Sequence, residues 1–291
     1  MQADLRIELP PANFKVEQII KNRSHLYQVT HDDKTTETYP GVTGFLGIIS
    51  KPALIPWATR TALENAERAL RALLGKSKSK KVVLTDAFIK GIIEEAKKQP
   101  EKLKDAAADL GTQAHAYFDA FIRGEAQNIE ELPAAIQPAA MMFNEWYLNS
   151  GLRIVAGDTK VASRKYGYGG ALDFLAVVED ENKVPAVLGL HQGDYILGDF
   201  KTSSGIWDEY ALQVSAYLQA FLETYGVECR GAIIARFDKE QKKDKKTGEL
   251  MPIGFEHKWL TNPKCSLLGF LDAKSLKERL NDEHYLEETV G

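Results

Sequence analysis

The stretch Leu197-Gly198-Asp199-Phe200-Lys201-Thr202 constrains this chain more than any other. An apolar run ending in a carboxylate and an ammonium two positions apart reads as a strand. Alternation sends Asp199 and Lys201 to one face and Phe200 to the other, so an anion and a cation converge at the strand's end. Asp-x-Lys alone also marks solvated strand edges, and its surroundings decide between the readings. Tyr168-Gly169-Gly170-Ala171-Leu172-Asp173-Phe174-Leu175 reads as a glycine turn opening an apolar strand with one acid inside it. An unpaired buried Asp173 costs several kcal/mol, so it either bonds backbone amides in a turn or faces a cation. Oxygen ligands from Asp173 and Asp199, with the Phe200 carbonyl, suit magnesium or manganese.

Two helical segments flank these strands. Ile206 to Tyr225 carries apolar residues at Ala211, Leu212, Val214, Ala216, Leu218, Ala220, Phe221 and Leu222, the pattern of a largely buried helix. Gln213 and Tyr217, four apart, share one face, where they either pack as an ordinary amphipathic pair or aim an amide and a phenol at the lysine or a phosphate. Upstream, Leu110-Gly111-Thr112-Gln113-Ala114-His115-Ala116-Tyr117-Phe118 sets Gly111 and His115 one turn apart. A lone His on an apolar helix is commonly a satisfied core histidine, and Asp119, one turn on, is a candidate to fix its tautomer.

In chain order these elements are Gly-Thr-x-x-His, Gly-Gly-x-x-Asp, Asp-x-Lys and Gln-x-x-x-Tyr, and together they resemble a nuclease of the PD-(D/E)XK superfamily in its RecB-like branch. Tyr39-Pro40-Gly41-Val42-Thr43-Gly44-Phe45-Leu46, with Lys51-Pro52-Ala53-Leu54 and Trp57-Ala58, is similar to a segment of phage exonucleases and mitochondrial genome maintenance exonucleases, so the likeness covers about residues 39 to 220. The resemblance implies a restriction-endonuclease-like core, Mg2+ or Mn2+ held by His115, Asp173, Asp199 and Phe200, and catalysis by Asp173, Asp199 and Lys201, the lysine positioning or activating the attacking water. It assigns Gln213, Tyr217, Thr202, Gly111 and Thr112 as supporting or DNA-binding residues. It also implies a DNA exonuclease of replication, recombination or repair, phage-encoded in one reading, acting on DNA with a free end. Expected partners include a second copy of the chain or a recombination protein. The alternatives are a structure-specific endonuclease on the same core and a non-cleaving DNA-binding module. Two departures from the family pattern stand out: Gly41 where serine is usual, and Thr159-Lys160 where many relatives carry a glutamate, with Asp158 the candidate substitute.

Composition bounds this reading. The chain has 291 residues, 44% hydrophobic and 27% charged, enough for one large or two modest globular domains. Residues 1–14 hold no apolar signal core and no stretch approaches about eighteen apolar residues, so no membrane partner and a cytoplasmic location are expected. Cys229 and Cys265 are too few for a disulfide framework or a four-thiolate iron–sulfur cluster. A net charge of -4 leaves polyanion binding to local patches. The candidates are Lys76 to Lys81, Lys97-Lys98 with Lys102 and Lys104, and Lys242 to Lys246, the last at a hairpin tip near Thr247-Gly248; each also reads as a solvated loop or helix face.

The periodicities predict an α/β fold, a central mixed sheet flanked by helices, with a hairpin and helices in front. The expected elements are a hairpin over 16–38 and helices over 56–74 (Leu63, Ala66, Leu70 and Leu73 inward), 85–98 with Thr85 as N-cap, 101–123 and 133–149. Strands over 153–163, 170–178 and 195–202 follow, then the helix bearing Gln213, strands over 230–237 and 254–260, and a closing helix. Residues 1–100 read as a separate hairpin and helical region, an arch or lid in which Trp57, Tyr39 and Phe45 either stack bases or pack the core; residues 101–291 read as the nuclease core.

Overall fold

The computed structural model describes residues 9–22, 24–49, 51–76, 85–241, 244 and 247–282. Lys78, Lys80, Lys81, Lys242, Lys243, Lys245 and Lys246 lie outside the described residues. The chain opens with strands β1 (Lys15–Lys21), β2 (Ser24–Thr30) and β3 (Thr36–Pro40), an antiparallel three-stranded sheet where a two-stranded hairpin was expected. Short helix α1 (Val42–Leu46), long helices α2 (Leu54–Lys76) and α3 (Asp86–Ile122), and α4 (Gln137–Asn149) follow. Next come β4 (Leu152–Ser163), β5 (Tyr168–Val178), β6 (Tyr195–Lys201), α5 (Asp208–Tyr225), β7 (Gly231–Phe237), β8 (Phe255–Trp259) and α6 (Pro263–Asp282). The five later strands form one sheet in sequence order. The β6–β7 pair, joined by α5, is parallel and the other pairs are antiparallel. The expected α/β architecture is present.

Compact packing divides the chain into residues 1–49 with 113–291, and residues 50–112. Residue 100, the expected boundary, lies inside α3. The front sheet belongs with the large sheet because Phe14 and Val29 bury themselves against Ala162 of β4, and Gly41 bridges to Gly169 of β5. Phe45 is buried in the core and the Tyr39 ring packs beside Phe14, Val29 and Ala162, so both serve the fold.

Three local expectations are corrected. Helix α3 runs through Pro100, because proline's own φ suits a helix and its penalty is limited to one lost backbone bond and crowding of the preceding turn. Its start is as expected: the Thr85 hydroxyl accepts from the Phe88 N–H at 3.3 Å. In α2 the sheltered stripe is Ala62, Ala66, Ala69 and Leu73, whereas Leu63 and Leu70 are exposed, so the stripe is rotated by one position. Helix α4 starts at Gln137 rather than Pro133, after a 3-10 turn over Ile129–Glu131.

Alternation makes the large sheet two-faced. Phe174 and Phe200 stack with centroids 4.5 Å apart, within a cluster that adds Phe118, Phe143, Trp146 and Phe237. On the other face Leu197, Leu175 and Ile234 meet Val214, Tyr217 and Phe221 of α5 and Phe270 of α6. Gly198 is opposite Phe174 in the ladder, and a Cβ there would stand 1.8 Å from the phenyl ring.

Gly198→Ala therefore overpacks a ring that has nowhere to move, and about 3 kcal/mol of unfolding free energy should be lost. Gly44→Ala, in α1 with nothing within 4 Å of the new methyl, should be neutral or slightly stabilising. Chemical denaturation of the three proteins compares them. Equal stability of Gly198→Ala and wild type would overturn the packing account.

Candidate active site

The site forms where two strands part company. Leu175 pairs with Leu197 and Phe174 with Gly198, and there the β5–β6 ladder stops. Asp173 and Asp199 are the next residues along each strand, so alternation brings both to the face that α5 covers. Past the last pair, the Phe200 N–H turned toward β5 donates to Asp173 Oδ2 at 2.6 Å. The Phe200 carbonyl is the group expected to face a metal, and its amide is what engages Asp173. Asp173 Oδ1 stands 3.5 Å from His115 Nδ1. Asp119, the expected partner for that imidazole, is displaced from the role by Asp173.

Asp199 is the most enclosed member, its side chain 3% exposed. Its Oδ1 accepts from Gln213 Nε2 at 3.2 Å, and the same amide nitrogen reaches Tyr217 OH at 2.9 Å, so the four-residue spacing on α5 delivers both groups. Its Oδ2 ion-pairs with Lys201, whose ammonium also donates a hydrogen bond to the carboxylate. Access is graded: Lys201 is 17% exposed, Asp173 24% and His115 35%, so the cluster opens toward the imidazole.

Burial acts on all four groups. It pushes the Asp199 carboxyl up to about 6; Lys201 opposes the rise and the Asp173 carboxylate adds to it. The same burial acts on Asp173, but the imidazole, the ammonium and the Phe200 N–H outweigh it and hold that carboxyl below its ordinary value. Burial alone would depress His115 and Lys201, and the facing carboxylates raise both instead.

The glycine pair before Asp173 is not a turn. Gly169 and Gly170 lie inside β5, and added Cβ atoms would stand 2.3 Å from the Tyr27 and Tyr217 side chains respectively. Their lack of a side chain lets the front sheet approach one and α5 the other, which seats Tyr217 and with it Gln213. The turn lies earlier, at Gly167 with φ +64°.

Gly111 and Thr112 lie on α3, the helix that carries His115, and the Thr112 hydroxyl donates to Ala108 O at 3.2 Å. Thr202 is the half-buried residue just past β6. Asp158 has φ +40° and ion-pairs with Lys160, and its charge, with that of Asp173, adds to the burial that raises Asp119. Sequence reasoning missed Tyr210, whose ring lies 4.8 Å from Lys201 Nζ and whose hydroxyl donates to Ser203 Oγ at 3.2 Å. The signal was its position three residues before Gln213. It also missed Arg236, which anchors the loop after Lys201 by donating to Ser203 O at 3.2 Å and Asp238 Oδ1 at 2.7 Å.

Among the described residues no three His, Cys, Asp or Glu side chains form a ready-made metal cage. His115 pairs with Asp173 and Asp199 with Lys201, and these pairs use oxygens that an ion would take. The donor set nonetheless suits a hard divalent cation: two carboxylates and an imidazole converge here.

The chain matches no protein-family model and no curated protein. Among the described residues no helix is long and apolar enough to cross a membrane.

Gln213→Leu keeps volume but strips Asp199 Oδ1 of its donor and leaves a buried carboxylate oxygen unsatisfied, which should cost about 2 kcal/mol in a denaturant titration. Tyr217→Phe removes only an acceptor and should cost less, because the amide keeps Asp199. The reverse order of the two losses would contradict this hydrogen-bond chain.

Proposed function

We propose that the chain is a Mg2+- or Mn2+-dependent deoxyribonuclease of the PD-(D/E)XK type, RecB-like in its motifs, and an exonuclease on DNA with a free end. The observation that carries this reading is the convergence of Asp173, Asp199 and Lys201, beside His115, at the point where β5 and β6 diverge. Phosphodiester hydrolysis needs negative charge stabilised on the phosphoryl oxygens and a water made nucleophilic, and a divalent cation bound here supplies both. Asp173, Asp199 and His115, with the Phe200 carbonyl, are the groups that would hold it.

The remaining chemistry falls to the chain's own residues. Lys201 is an ammonium beside two carboxylates, so it acts as a donor: it orients the attacking water or hydrogen-bonds the charge growing on the phosphate. Tyr210 covers one side of that ammonium, and Arg236 fixes the loop that follows it. Gln213 holds Asp199 from α5. His115, the most exposed of the group, marks the open side from which a phosphate enters.

End-labelled single- and double-stranded oligonucleotides incubated with Mg2+, Mn2+ or chelator test the reading. Cleavage should require the metal, and ladders from a labelled end should show stepwise shortening; internal cuts in circular DNA would move the assignment to an endonuclease. Lys201→Ala should lower the rate by at least about 100-fold while DNA binding persists. Near-normal cleavage by that variant would remove the lysine from the mechanism. Independently of turnover, Mg2+ at about 100 times its Kd should add about 2.7 kcal/mol of stability to the wild type and none to Asp199→Asn. Equal stabilisation of both would place the ion elsewhere.

A further inference from the structure

We infer that Tyr210 is a positioning residue for Lys201: the face of its ring seats the ammonium, so that the lysine stays aimed at the reacting phosphate when Asp199 turns to a divalent ion. The inference rests on the nuclease reading and adds a residue to its machinery. Lys201 Nζ lies over the Tyr210 ring, 4.8 Å from the centroid, and also ion-pairs with Asp199. The ammonium therefore has two partners of different kind, one charged and one neutral.

The placement follows from the periods of the two elements that meet here. Helix α5 connects the parallel strands β6 and β7, so it runs back along the sheet, with its earlier residues over the later residues of β6. Gln213 meets Asp199, and three positions earlier Tyr210 meets Lys201. Residues three and four apart share a helix face, so Tyr210, Gln213 and Tyr217 form one row over the Asp-x-Lys pair. Tyr210 is itself held. Its hydroxyl donates to Ser203 Oγ at 3.2 Å, Ser203 Oγ donates to Gly205 O at 2.8 Å, and Arg236 donates to Ser203 O at 3.2 Å. The ring is thereby tied to the loop after Lys201 and, through Arg236, to β7.

A ring suits this place better than another carboxylate. An ammonium has three N–H donors on a flexible four-carbon stem, and that freedom must be restricted before one donor can be presented to a chosen oxygen. A carboxylate partner takes a donor and holds the charge to itself, and Asp199 already does both. A π face attracts the charge over a broad area and fixes no single N–H, which leaves donors for water or phosphate. The need is greatest once Asp199 is a ligand. The ammonium then shares its carboxylate with an ion of like charge, and the neutral ring is the partner that keeps Lys201 in place.

The test follows isotope-labelled lysine side chains by NMR, in chelator and in Mg2+, together with steady-state cleavage of DNA. The proteins are the wild type, Tyr210→Phe, Tyr210→Leu and Lys201→Ala, checked for matching circular dichroism, with Tyr210→Met in place of the leucine variant should that one fail to fold. The ring current should move the Lys201 Hε resonance upfield of an exposed lysine in both conditions, and Lys201→Ala identifies that resonance by its loss. The shift should persist in Tyr210→Phe and vanish in Tyr210→Leu. Tyr210→Leu should lower kcat about tenfold with KM unchanged, Tyr210→Phe should recover most of that loss, and Tyr210→Leu added to Lys201→Ala should cause no further fall. A Lys201 resonance that Tyr210→Leu leaves in place, in a protein that cleaves DNA with metal, would overturn the seat and leave the nuclease reading standing. Equal falls in kcat with and without Lys201 would overturn it too, since a ring that only packs acts in both backgrounds. A wild type that cleaves no DNA with either metal would sink the nuclease reading and the positioning role together.

Discussion

One backbone amide, that of Phe200, ties the two halves of this protein's chemistry together. Its residue sends a phenyl ring into the aromatic face of the sheet, stacked on Phe174, while its N–H leaves the β5–β6 ladder and donates to the Asp173 carboxylate. An amide at the end of a ladder must be satisfied, and leaving it buried without an acceptor costs roughly 1–3 kcal/mol. The strands separate because Asp173 provides that acceptor. The crevice, the approach of the two acids and the fixed position of Lys201 one residue later all follow from this substitution of a side chain for a strand partner.

The electrostatics of the crevice show why it stays polar. Four ionisable groups sit where burial penalises every charged form, and each is tolerated because another lies against it. Such a cluster adds little net stability, since the desolvation of buried ions offsets most of their attraction. Asp199 is the member that the pairing compensates least: its carboxyl rises to about 6 although an ammonium sits beside it. A hard cation would compensate that charge further, so the energetic deficit and the proposed chemistry point to the same carboxylate.

Much of this arrangement was legible in the sequence. Alternation along Leu197 to Lys201 and the four-residue interval between Gln213 and Tyr217 are geometric consequences of strand and helix periods, and both groups arrive where those periods send them. The large sheet was legible for the same reason. What stayed hidden depends on contacts between distant segments. Gly169 and Gly170 read as a turn because local chemistry cannot reveal that Tyr27 and Tyr217 press against them. Pro100 reads as a helix end although the surrounding turns carry the helix through it. The front sheet reads as a separate module until Phe14 and Val29 are seen against Ala162. The pairings of Asp173 with His115 and of Asp199 with Lys201 were likewise invisible to motif spacing alone.

On the proposed nuclease reading, a net charge of -4 and a crevice of carboxylates pose a specific difficulty with a polyanion. Phosphate neutralisation and counterion release give most nucleic-acid proteins their sequence-independent affinity, and that contribution falls steeply with salt. The crevice itself offers Lys201, already paired, so cationic contacts must come from elsewhere or from the bound divalent ion.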